Sequence, residues 1–204
     1  MHRWEKMRHY DKITELAANK GIISASDVEE LGISRNYLYA MCREGLLERS
    51  SRGLYMLADS DVSAHHGLAE ISKRIPSSVI SLISALNFHE LTTQIPHEVW
   101  FSIPRDTWLP EIDYPPIQVT RVSEPAYSFG VEEHTIGGVS VSIYSPAKTV
   151  ADCFKFRSKV GLDVAIEALR SAWDARKITV DELVQAAQVD RVWTVIRPYV
   201  EATV

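Results

Sequence analysis

The chain has only two cysteines among its 204 residues. Cys42 and Cys153 lie far apart and form neither a CxxC pair nor a disulfide framework, so both are expected to be buried thiols. No run of about 18 apolar residues is present, and no charged-then-apolar leader opens the chain. Neither membrane insertion nor secretion is indicated, and a cytoplasmic protein is expected. The seven histidines lack HxxxH and HExxH spacing, and the adjacent His65 and His66 would point in different directions on a helix. No metal site and no cofactor is therefore expected. The chain also lacks a P-loop, GxGxxG, GxSxG and any close carboxylates that would announce a two-metal site. Asp152 and Lys155 share one helix face, but an ordinary i,i+3 ion pair accounts for them more simply than an acid and a cation over a substrate. The chain is expected not to be an enzyme. Basic charge is scarce too: 22 Lys+Arg against 27 Asp+Glu give a net charge of -5.

With 46% hydrophobic residues, the chain can bury one substantial core and a small accessory one. Two domains are the natural reading, 1–58 and 59–204, divided at the polar break Asp59-Ser60-Asp61. In the first, Ile13, Leu16 and Ala17 suggest a helix stopped at Gly21, and Ile22-Ile23 a short strand. Ser26-Asp-Val-Glu29 has capping-box spacing and opens a second helix. Gly32-Ile33 then turns the chain, and Ser34 caps a third helix from about Arg35 to Glu44, which Gly45 ends. Leu46–Arg49 and Leu54–Leu57 flank Ser50-Ser51-Arg52-Gly53, two apolar strands around a polar turn. Three helices and a basic hairpin are the order of a winged helix-turn-helix.

On that third helix Leu38, Met41 and Cys42 face a core, which leaves Arg35, Asn36, Tyr39 and Arg43 on other sectors. Arg35, Asn36 and Tyr39, near the helix start, are placed to reach base edges in a major groove. Arginine can fork onto guanine and asparagine onto adenine. Arg43, Arg49 and Arg52 suit sequence-neutral phosphate contacts. The alternative is a three-helix domain whose solvated surface serves protein contacts; the agreement of capped helix and basic wing favours double-stranded DNA. Residues 1–58 hold nine Lys+Arg against eight Asp+Glu, so affinity has to come from a local patch, with strong salt sensitivity and multiple copies on the DNA.

The larger half reads as α+β, a small mainly antiparallel sheet with flanking helices. A helix is expected from about Val62 to Arg74, and a central apolar helix from Ser77 through Leu86. Strands follow at Glu98–Ile103, Ile117–Val122, Glu133–Ile136 and Val139–Tyr144, the last two joined by Gly137-Gly138 as a hairpin. Pro146 starts a helix to about Arg157. Further helices are expected from Leu162 to Ala175, from a Thr179–Glu182 capping box to Gln188, and from Asp190 to Glu201, where Pro198 can distort the last.

Gly21 to Arg35, the wing end Arg52-Gly-Leu-Tyr55, the segment Ser81 to Pro96 with its Leu91-Thr-Thr93, and Tyr144-Ser-Pro-Ala-Lys-Thr-Val-Ala-Asp-Cys-Phe154 together resemble the AbiEi family, the antitoxins of type IV toxin–antitoxin systems linked to abortive phage infection. The resemblance runs from about Asp11 to Val189. It implies a repressor that binds inverted repeats in its own promoter, and a C-terminal domain that counters a nucleotidyltransferase-type toxin without requiring a stable complex. It makes the recognition-helix and wing residues the DNA contacts, and Lys148 and Lys155 candidates for a second basic surface, although solvated lysines are the equal alternative. For His89 and Leu91–His97, a structural role at a helix end is more economical than binding. A winged-helix regulator with a sensing or partner-binding second domain and no antitoxin activity is the competing functional expectation.

Overall fold

The computed structural model describes residues 2–59 and 65–203. The expected helix start at Val62 and the break at Ser60-Asp61 lie outside the described residues. Two compact units emerge: Met1–Arg74 with Thr135–Ser140, and Ile75–His134 with Val141–Val204. Residues 66–74, which the sequence assigned to the second domain, group with the first.

In the first unit, α1 (His2–Lys20) begins earlier than the apolar periodicity suggested. It ends where Gly21, at φ +67°, donates its N–H to the Ala17 carbonyl at 2.9 Å, the left-handed stop that glycine takes without strain. A Cβ there would lie 1.3 Å from the Gly137 carbonyl oxygen, so space as well as conformation demands glycine. β1 (Ile23–Ser24) pairs antiparallel with β3 (Leu54–Leu57), Ile23 opposite Tyr55. α2 (Ala25–Glu29) follows at once, and this corrects the expected capping box. The box is Ser24–Asp27, not Ser26–Glu29: the Asp27 carboxylate accepts the Ser24 N–H at 2.7 Å and the Ser24 hydroxyl accepts the Asp27 N–H at 3.4 Å. The cap falls on the last residue of β1, so Ser26 already sits in the first turn.

α3 (Asn36–Arg43) starts one residue later than expected, with Arg35 and not Ser34 at the cap position and no side-chain cap; the Ser34 hydroxyl accepts the Asn36 N–H at 3.4 Å, and the helix stops before Gly45 at φ +73°. β2 (Leu47–Ser51) and β3 form the wing, with Ser51 opposite Leu54, so the turn is Arg52-Gly53; a bulge falls between Arg49 and Ser51. α4 (His66–Arg74) completes the unit. Ile13, Ile23, Val28, Leu38, Met41, Leu47 and Tyr55 close a single core, each large aliphatic side chain contributing roughly 1.5–3 kcal/mol on burial.

Asp27 organises this unit beyond its cap. Its carboxylate also takes Lys20 at 2.7 Å and Lys73 at 2.9 Å. Partial burial acts to raise the Asp27 carboxyl, but the bonds from Lys20, Ser24 and Lys73 outweigh it and hold the group well below the usual carboxylate range. A folded-state pKa below the unfolded one gives stability that is present above about pH 4 and is lost as pH falls further. The melting temperature of wild type is therefore expected to drop below about pH 4 more steeply than that of Asp27→Asn, which is less stable at neutral pH. Parallel melting curves would refute this.

Residues 75–204 form a five-stranded sheet in the order β6-β5-β4-β8-β7, built from β4 (Val79–Ile80), β5 (Val99–Pro104), β6 (Ile117–Val122), β7 (Val131–Ile136) and β8 (Val139–Tyr144), of which the 135–140 hairpin end groups with the first unit. The α+β class stands, but the sheet is mixed rather than mainly antiparallel: β5 with β6 and β4 with β8 run parallel, β4 with β5 antiparallel. The proline-interrupted loop 105–116 is long enough for the crossover that a parallel neighbour requires. The expected helix from Ser77 is also corrected. Val79 and Ile80 pair with Ser102 and Phe101 as the central strand, and only then does α5 (Leu82–Phe88) begin. Leu82 makes the joint at φ +49°.

α6 (Pro146–Lys155), α7 (Arg157–Val160), α8 (Leu162–Asp174), α9 (Val180–Val189) and α10 (Trp193–Thr203) follow. The Thr179–Glu182 capping box forms as expected, with Thr179 N–H on the Glu182 carboxylate at 2.8 Å. Pro198 is accommodated inside α10. Cys153 and Val150 of α6 lie in the core with Leu86 of α5, Leu169 of α8 and Ile196 of α10. No described helix is long and apolar enough to cross a membrane.

Candidate nucleic-acid interface

α3 buries Leu38 and Met41 and leaves the other side of the helix in solvent. Arg35, Asn36, Tyr39 and Arg43 are all exposed, as are Arg49 and Arg52 of the wing. Tyr39 is 52% exposed, yet its ring stands edge-on to the buried Tyr55 at 6.4 Å between centroids, which limits how far it can swing. Arg49 donates to the Ser51 carbonyl at 3.3 Å, so its stem is bound along the wing. Glu44, next to Arg43, is engaged by Lys6 at 2.8 Å and Tyr10 at 3.0 Å, and these bonds lower its pKa. An anion beside the recognition helix is thereby matched by a cation from α1. The arrangement offers polar side chains at the start of a short exposed helix and arginines on a two-residue turn.

The helix after the wing also touches it. The Ser50 hydroxyl and His66 Nε2 are 2.9 Å apart, and Arg74 donates to the Arg52 carbonyl at 3.4 Å. The sequence reading missed both residues because it placed them in the other domain; the i, i+4, i+8 spacing of His66, Glu70 and Arg74 was the available signal.

Residues 11–58 match the family model described as transcriptional regulator, AbiEi antitoxin. The matched segment runs from α1 to the end of the wing, so the resemblance read from the residues holds over the part that bears the exposed helix and the arginines. That description is of a regulator and not of an enzyme. The fold is similar to the crystal structure of the RV2827C protein from Mycobacterium tuberculosis, at 11% identity and a TM-score of 0.60, covering 89% of this chain and 71% of that one. At that identity the likeness is one of fold. No curated protein matches the chain.

Beyond the AbiEi-like segment, the expected second basic surface is corrected. Lys148 is fully buried, with its ammonium 2.6 Å from Asp152 and 3.1 Å from Asp190 and 4.5 Å from the centre of the Tyr144 ring. Lys155 is 29% exposed and pairs with Asp190 at 3.1 Å, not with Asp152. Asp190, at the end of α9, was the partner that local spacing on α6 could not show. Two cations and two carboxylates make a charge-balanced buried cluster, in which burial and then the Asp190 charge act against Lys148 to raise the Asp152 carboxyl. Burial raises the Cys153 thiol far above its usual range and also raises Cys42, which favours the thiol over the thiolate in both.

The Leu91–His97 segment is anchored at its start and largely exposed beyond it. Leu91 is fully buried, Thr93 donates its N–H to Glu167 at 3.2 Å, and the Thr92 hydroxyl accepts the Gln94 N–H at 3.2 Å. His89 Nε2 lies 2.7 Å from the Tyr144 carbonyl. Burial lowers the pKa of His89, more than that bond raises it, which favours the neutral imidazole; a carbonyl only accepts, so Nε2 is the donor of this bond.

Proposed function

We propose that the protein is a DNA-binding autorepressor and the antitoxin of a type IV toxin–antitoxin operon, opposing a nucleotidyltransferase-type toxin without needing a stable complex. The observation that carries the DNA limb is the exposed polar face of α3 set beside the arginines of a tight wing, on an AbiEi-like segment. Arg35, Asn36 and Tyr39 read bases; Arg43, Arg49 and Arg52 hold phosphates. The winged domain, 1–58 by its motif, is near charge neutrality, so binding depends on these few contacts and weakens steeply with salt: about three phosphate contacts per copy give a log–log slope near -3. Inverted repeats in the promoter would seat more than one copy.

The test is binding to the promoter duplex at low and moderate salt, by wild type and by Arg35→Ala/Arg52→Ala. Loss of a guanine contact at Arg35 is expected to weaken binding by about 1–3 kcal/mol, with a shallower salt slope from the loss of Arg52. Equal binding by the two proteins would sink the site assignment. Co-expression of the same variant with an adjacent nucleotidyltransferase tests the other limb. Growth rescue by the variant supports an antitoxin activity that does not run through these contacts, and no rescue by wild type leaves a regulator with a sensing or partner-binding second domain.

A further inference from the structure

We propose that α4, which lies beyond the winged motif and beyond the AbiEi-like segment, is a positioning element of the DNA-reading device, fixing the wing at a set spacing from the helix-turn-helix. The proposal rests on the DNA-binding reading above. β2 is an edge strand of the three-stranded sheet β1-β3-β2, and it has a bulge at Ser50, one pair before the turn, where a strand bends and twists most easily. α4 holds the hairpin at that place. His66 Nε2 meets the hydroxyl of Ser50, the bulged residue, at 2.9 Å, and Arg74 meets the Arg52 carbonyl at 3.4 Å. The contacts are two turns apart on one face of α4 and meet the wing at its bulge and at its turn, so they fix the tip of the wing at two points rather than at one.

The other end of the brace is on α2. Lys73 reaches Asp27 at 2.9 Å, the residue whose carboxylate caps α2. One rigid helix therefore bonds both the first helix of the helix-turn-helix and the wing, and Arg49 and Arg52 inherit their placement from it. Between the two wing contacts lies Glu70, 1% exposed, whose carboxyl oxygens have no hydrogen-bond partner among the described residues and one of which is 3.4 Å from His66 Nε2. A buried carboxylate in that condition is a cost to stability.

The experiment measures promoter-duplex affinity against salt for full-length His66→Ala/Arg74→Ala, Ser50→Ala, Arg52→Ala and the combination of Arg52→Ala with His66→Ala/Arg74→Ala. Arg52→Ala is expected to make the log–log slope shallower by about one. The α4 double variant is expected to do the same without touching DNA, and to add little in the Arg52→Ala background. Ser50→Ala removes the bond to His66 from the wing side and should move the slope in the same direction, which decides the matter if the α4 variant does not fold. His66→Gln alone, whose amide can donate to or accept from the Ser50 hydroxyl, should keep the wild-type slope. A lowered melting temperature with an unchanged salt slope would mean that α4 only stabilises the unit, and would overturn the proposal. No binding by wild type would instead remove the DNA reading on which the proposal stands.

Discussion

Lys148→Met is expected to destabilise the protein by about 3–5 kcal/mol, the range for removing one partner of a buried ion pair. The ammonium sits between Asp152 at 2.6 Å and Asp190 at 3.1 Å with no solvent exposure. Without it, Asp190 keeps Lys155, but Asp152 is left as a buried carboxylate with no cation. Such a group either keeps its charge in a medium that solvates it poorly or takes up a proton, and both cost stability. For a chain of this size each kcal/mol shifts the melting temperature by about 2–4 °C, so a fall of roughly 6–20 °C is expected. Adding Asp152→Asn should recover part of the loss by removing the uncompensated charge. Urea unfolding of the three proteins checks both statements, and a loss below about 1 kcal/mol would show that water reaches the cluster.

The second large effect is in the recognition helix. Leu38→Ala is expected to cost about 2–5 kcal/mol through lost burial and the cavity left behind, because Leu38 is 1% exposed in the core shared with Ile13, Val28 and Met41. In a unit this small that is a large part of the stability holding α3 in place, and DNA binding should fail with it. Tyr39→Ala, one residue along, should change stability far less, because the ring is 52% exposed, while still weakening promoter binding. The pair separates packing from contact on a single turn of helix. Equal losses of stability would refute the assignment of Tyr39 to the binding face.

The winged motif was legible because its signals are local. Ser34, Gly45 and Gly53 act on their own backbone neighbours, and the alternation of buried and exposed residues on α3 follows from helix geometry alone. The central strand was not. Val79 and Ile80 have the β-branched side chains that suit a strand, yet the run to Leu86 shows no alternation because it is buried on every side. What makes Val79-Ile80 a strand is pairing with Ser102 and Phe101, distant in sequence. Lys148 shows the same limit. On a helix wheel it is one more charged residue beside Lys155, and only Asp190, brought in by α9, turns it inward. The capping box slipped by two residues because Asp27 served where glutamate was expected, a substitution that becomes clear once β1 is seen to end at Ser24.

The first unit is discontinuous along the chain: it takes in residues 1–74 and then 135–140. No single cut can release it whole. A truncation after the wing removes the Lys73 partner of Asp27 and the contacts of Ser50 and Arg52. A deletion of residues 1–58 strips α4 of the same partners, and takes Gly21 from beside Gly137. Loss of function in either fragment would then report damage at the cut as readily as the absence of an activity. The proposed repression is therefore to be tested apart from the proposed toxin neutralisation by exchanging side chains on the exposed face of α3, and not by dividing the gene.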